Sequence, residues 1–175
     1  MPFEFSISCP SGSIASSVAS EPLEDTVDYD YLVMQGCRIL SDVGCGFHIG
    51  GFGDADWGFD VSYDMSTFVE QLPSLIGSLR LNGTGEVDFY SQGVERSLAF
   101  KRVGDSYEIR CYSRTSWKPS PSVEFVECVS MEAMLDELTF DFSMALKRTS
   151  SEICRLEPFR SWCREGGNAD VHATR

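Results

Sequence analysis

The sequence predicts a single α+β domain, a largely antiparallel β-sheet with helices packed on one face. Three observations point there. Four strand-length segments follow one another across residues 86–129, and an amphipathic stretch of helical period lies on either side of them. The chain has 175 residues, 42% of them apolar, enough for one hydrophobic core. No apolar run approaches the roughly eighteen residues that a membrane-spanning helix needs. The domain is expected over residues 1–165, with a mobile acidic loop at 10–28 and a frayed tail at 166–175.

The elements are justified in order along the chain. Phe3, Phe5 and Ile7 alternate with polar neighbours, the pattern of an opening strand with one buried face. A Ser-rich stretch then turns acidic and ends in Glu21, Glu24, Asp25, Asp28 and Asp30, which reads as a surface loop. "YLVMQGCRIL" (31–40) and "GFHIGGF" (46–52) read as strands. "WGFDVSYD" (57–64) reads as a third, with Trp57, Phe59, Val61 and Tyr63 on one side and acids on the other. At Phe68 the period changes. Phe68, Val69, Leu72, Leu75, Ile76 and Leu79 recur at steps of three and four, predicting a helix over 67–80. Thr67 and Glu70 suit a capping box, Pro73 predicts a kink or a later start, and Gly83 or Gly85 a left-handed stop.

The meander follows as "EVDFYSQ", "SLAFKRV", "SYEIRCYSR" and "VEFVECV". Gly104-Asp105 between the second and third is the Gly-X pair of a type II′ hairpin turn. Ser130 is placed to cap a second helix, whose stripe of Met131, Met134, Leu135, Leu138, Phe142 and Ala145 faces the core. A shorter helical segment or two, broken near Pro158, then brings Ile153, Leu156, Phe159 and Trp162 to the same core.

Charge narrows the function. The formal net charge is −13, and residues 1–79 hold twelve acids against the single base Arg38. Such a field repels nucleic acid and anionic lipid, so neither is expected as a partner, and it steers basic proteins inward. The alternative is plain solubility charge. Seven cysteines at irregular spacing, with no CxxC pair and only His48 and His172 beside them, read as buried reduced thiols in a reducing compartment. No secretory leader is evident, which predicts a cytoplasmic protein.

The glycine- and aspartate-rich "GGFGDADWGFD" (50–60) invites a metal or phosphate reading, and both fail. An EF-hand loop starting at Asp54 needs Gly sixth and Glu twelfth, where Phe59 and Met65 stand. Neither GxGxxG nor a P-loop occurs among these glycines. Cys45 and His48, three apart on a strand, would point to opposite faces and make a poor nucleophile and base. No catalytic residue, metal or cofactor is therefore assigned. Binding has the better case. Asp54, Asp56, Asp60 and Asp64 surround Trp57, while Glu24, Asp25, Asp28 and Asp30 lie among Tyr29 and Tyr31. Aromatics ringed by carboxylates suit Lys and Arg side chains. Equally, such aromatics can face the core while the acids solvate the outside.

"STFVEQLPSLIGSL", then "GEVDFYSQGVERSLAFKRVGDSYEIRCYS", then "SMEAMLDELTFDFSMAL" give a layout that resembles the immunity proteins of bacterial polymorphic toxin and contact-dependent growth inhibition systems. The resemblance covers residues 55–148 and rests on layout, with no diagnostic motif. It implies tight binding of one cognate toxin domain, often a basic nuclease, and no catalytic residues. The contact would fall on the acidic N-terminal half, above all Asp54 to Asp64. The alternatives are another acidic interaction module, such as a nucleic-acid mimic, or a small enzyme.

Overall fold

Across residues 84–127 the alternating pattern becomes a four-stranded antiparallel sheet in the order β3-β4-β5-β6, formed by Thr84–Phe89, Arg96–Val103, Ser106–Ser113 and Val123–Glu127. The computed structural model describes residues 2–10, 22–149 and 151–165, with 164 and 165 as backbone alone. Residues 11–21, including Glu21, and the expected tail at 166–175, with His172, lie outside the described residues. The β4–β5 turn pairs Val103 with Ser106, leaving a two-residue loop in which Gly104 takes a φ of 64°. Gly at the first loop position with positive φ is what a type II′ turn requires.

The sheet has a wet face and a dry face. Val87, Phe89, Leu98, Phe100, Tyr107, Ile109, Cys111 and Val126 point inward and are buried. Against them pack α2 (Ser66–Asn82) and α3 (Cys128–Arg148), together with a separate two-stranded ribbon of β1 (Glu4–Ser8) and β2 (Gly46–Gly50). Phe3 meets Phe100, while Phe5 and Phe47 meet Phe68, so ribbon, sheet and α2 share one aromatic core. A 3-10 turn (Glu152–Arg155) and α4 (Phe159–Glu165) close the end of α3, with Ile153, Phe159 and Trp162 buried and Leu156 half-buried. None of the helices among the described residues is long and apolar enough to cross a membrane.

Five expectations are corrected. Residues 31–40 are not a strand but most of α1 (Tyr29–Asp42), because Leu32, Val33, Gly36, Cys37 and Leu40 bury one helical face and Asp28 accepts from the Tyr31 N–H as N-cap. Gly36 sits where a Cβ would come 3.3 Å from Leu146, so its smallness brings α1 close to α3. Residues 57–64 are not a strand either. Gly58, at a φ of 67°, turns the chain, and Asp60 then caps a π-helical turn, Val61–Met65, that runs directly into α2. The helix therefore starts without the Thr67–Glu70 box. Ser66 donates to Glu70 instead, and Thr67 donates to the Tyr63 carbonyl. Ser130 likewise lies inside α3, whose N-cap is Glu127 and lacks a side-chain bond.

The fifth correction concerns the thiols: Cys9 and Cys45 form a disulfide. The β1–β2 ladder ends with Ser8 opposite Gly46, so the next residues outward, 9 and 45, face each other by register. Cys37, Cys111 and Cys128 are buried free thiols, as expected from the sequence, while Cys154 and Cys163 are free and half-buried.

Pro73 lies in the middle of α2 and removes the N–H that would bond the Val69 carbonyl four residues back. The Tyr29 hydroxyl donates to that freed oxygen at 2.6 Å. One residue's missing donor thus becomes the tie between α1 and α2. Further along, the Gln71 carboxamide donates to the Asp88 carbonyl at 3.0 Å and accepts the Asp88 N–H at 2.9 Å. It occupies the open edge of β3 as a neighbouring strand would.

Candidate partner-binding surface

The "GGFGDADWGFD" stretch is a built turn. Gly51 and Asp54 exchange two backbone hydrogen bonds across Phe52 and Gly53, which take φ values of 58° and 87°. Two consecutive positive φ values mark a type I′ turn. Phe52 bears this conformation despite its bulk because its ring is buried against Phe3 and Trp57 and its carbonyl accepts from the Ser120 N–H. At Gly53 a Cβ would lie 2.1 Å from the Ser120 carbonyl oxygen, so the close approach requires glycine.

Trp57 lies inside. Only 7% exposed, it donates from its indole N–H to the Gly51 carbonyl and contacts Phe59, Phe89 and Trp117. Between Trp57 and Trp117 lies the Arg96 guanidinium, 4.6 Å and 3.7 Å from the two ring centroids, with Phe59 at 5.7 Å. Arg96 is 8% exposed, and its Nε and Nη1 have no hydrogen-bond partner among the described residues. Burial lowers its pKa, opposed by the charges of Cys111, Asp54 and Asp64. The aromatic faces supply the main direct contact with this cation. Arg96 is the first residue of β4, one position before the alternating "SLAFKRV", and a charge at a strand's first position gives no sign of facing inward.

The predicted acids divide by position. Asp25 accepts from the Val27 and Asp28 N–H groups, which hold its carboxyl below the usual range, and Asp28 caps α1. Glu24 is exposed, and its N–H donates to the Tyr31 hydroxyl. Asp54 is half-buried in the turn beside Arg96. Asp56 stands apart, 3.7 Å from His48 Nδ1, while Glu4 lies 3.6 Å from the other ring nitrogen. Cys45, being bonded to Cys9, offers no thiol to His48.

Asp60 lies beside Asp64, and Asp30 lies near Glu70. Asp60 is exposed and accepts from the Tyr63 N–H, whereas Asp64 is buried and accepts from the Asp60 N–H. Burial pushes the Asp64 carboxyl up, with the Asp60 charge adding to it. Burial likewise raises Glu70, and Asp30 adds to it. Burial pushes the Cys37 thiol up, and the charges of Glu70 and Asp60 add to it.

Two exposed aromatics complete the surface. Tyr63 is 71% exposed in the turn that Asp60 caps, and Tyr90 is 62% exposed, with its hydroxyl 3.4 Å from Glu70. The sequence pointed to Trp57 as the anchor, but the turn into helix after Gly58 reverses the alternation, sending Tyr63 outward and Asp64 inward. Glu70 was masked by its apparent capping role. Tyr90 arrives through a contact twenty residues distant in sequence, for which no local signal exists. Among the described residues, Asp30, Asp60 and Glu70 form no ion pair, so their charge is available to a cation.

Comparison with protein-family models, curated proteins and solved structures found no match to this chain.

Proposed function

We propose that the protein is an immunity protein that binds a cognate toxin domain through this acidic, aromatic surface and neutralises it in the cytoplasm of the producing cell. The observations that carry the proposal are that exposed Tyr63 adjoins Asp60 and exposed Tyr90 adjoins Glu70, on a chain whose first 79 residues hold twelve acids and one base. Tyrosines amid carboxylates suit recognition of Lys and Arg side chains on a basic toxin such as a nuclease. The surrounding field accelerates encounter, which matters when an active toxin must be caught before it acts. Asp54, Asp56, Glu24, Asp25 and Asp28 extend the field, while Trp57 and Asp64 support it from beneath. In a reducing compartment the Cys9–Cys45 bridge would open, leaving the five-pair β1–β2 ladder to hold the same ends.

Growth rescue tests the proposal. The toxin-like C-terminal segment encoded beside this gene is expressed with and without the protein, and rescue is expected. A non-toxic neighbour, or a toxic one that the protein fails to block, overturns it. Asp60→Asn keeps a capping side chain and removes its charge. Combined with Tyr63→Ala and Glu70→Gln, it should weaken toxin binding by about 2–4 kcal/mol in calorimetry. Undiminished protection by this triple variant and by Asp54/Asp56/Asp60→Ser would place the interface elsewhere.

A further inference from the structure

The outward face of the four-stranded sheet offers a second contact, in an inference that rests on the reading above of a basic partner. Its centre is floored by the short side chains Ser97 and Ala99 of β4. Register sets Asp88 and Glu86 of β3 on one side of them and Tyr112 and Arg110 of β5 on the other. A short floor between long neighbours leaves a groove of about 390 Å³, with Gln71, Glu86, Tyr112 and Arg114 in its walls.

The charges around it are unequally satisfied. Arg114 lies 2.6 Å from Asp88, and Arg110 lies 2.8 Å from Glu108. Lys101, beyond the floor, faces Glu108 across the β4–β5 ladder but forms no ion pair among the described residues. Glu86 forms no ion pair among the described residues. The lining of the groove thus holds one carboxylate without an ion pair, Glu86, and one exposed tyrosine ring, Tyr112.

We infer that this groove takes a lysine or arginine side chain of the basic partner, its aliphatic stem on Ser97 and Ala99 and its cationic head between Tyr112 and Glu86. Charge complementarity favours that occupant, and continuity supports it. Gln71, in the groove wall, follows Glu70 in sequence and holds Asp88, two residues before Tyr90. The groove opens where the acidic, aromatic surface ends, so one basic segment can engage both.

The test titrates isotope-labelled protein with acetylated, amidated hexa-arginine at low salt and follows backbone amide shifts. Shifts are expected at Ser97, Ala99 and Tyr112 as well as at Tyr63 and Tyr90. Glu86→Lys, a surface change, and Ala99→Leu, which fills the floor, should each weaken the groove response about fivefold while leaving that at Tyr63 and Tyr90. The amide spectrum itself reports whether each variant is folded. Shifts confined to Tyr63 and Tyr90, or a groove response indifferent to both substitutions, overturn the groove. Loss of growth rescue overturns the immunity reading separately, since the peptide titration uses no toxin.

Discussion

Arg96 shows at the residue scale how a buried charge is held without an ion pair. Its guanidinium gains aromatic contact from Trp57, Phe59 and Trp117, yet two of its nitrogens lack acceptors among the described residues. Desolvating a charge costs several kcal/mol, and replacement by an apolar group of similar shape is often neutral or stabilising. Arg96→Met should therefore stay within about 1 kcal/mol of the parent in urea unfolding, because methionine fills the space between the indoles. Arg96→Ala should lose about 2–3 kcal/mol through the cavity it leaves. Equal losses in the two variants would show that the cation itself stabilises the stack. The turn at Phe52 and Gly53 makes a related point. Its glycines are set by close approach to Ser120 and by positive φ, neither of which a composition of Gly and Asp distinguishes from a ligand cradle.

Elements differed in how plainly the sequence announced them. The meander was legible because its strands alternate buried and exposed positions and the turn at Gly104 has one favoured chemistry. The α1 helix was not. Leu32, Val33 and Met34 run together as a strand would, and the decisive signal, Asp28 as cap, was absorbed into an acidic cluster with other readings. Legibility of the binding surface split along the same lines, with Asp30 and Asp60 evident locally, and Tyr63 and Tyr90 dependent on how elements meet. The bond from Tyr29 to the Val69 carbonyl offers a quantitative test. Tyr29→Phe leaves that buried oxygen unpaired and should cost about 1–2 kcal/mol of unfolding free energy. In a Pro73→Ala background the restored N–H can take the same oxygen, so the loss should shrink markedly in a double-mutant cycle. Strict additivity would mean that the hydroxyl does not substitute for the missing donor.

For the whole molecule, the surface proposed for binding works against the fold. Burial raises the Asp64 and Glu70 pKa values above their ordinary 3.8 and 4.5, so the folded chain holds these protons more tightly than the unfolded one. Their contribution to stability is full below those ordinary values and is lost as pH rises through the higher folded-state values. Asp64→Asn should accordingly be more stable than the parent at pH 7, and its advantage should shrink as pH falls toward 3.8. Calorimetry across that range checks the sign, and an advantage that grew on acidification would contradict it. Attraction for a basic partner runs the other way, increasing as the carboxylates ionise and falling with salt. The Gln71 side chain bears on a different matter, the behaviour of the protein in a crowded cell. A sheet with a bare outer strand invites a second copy, or a half-made chain, to extend it. By giving Asp88 the donor and acceptor that such an intruder would bring, one carboxamide closes that point of the β3 edge to a second chain.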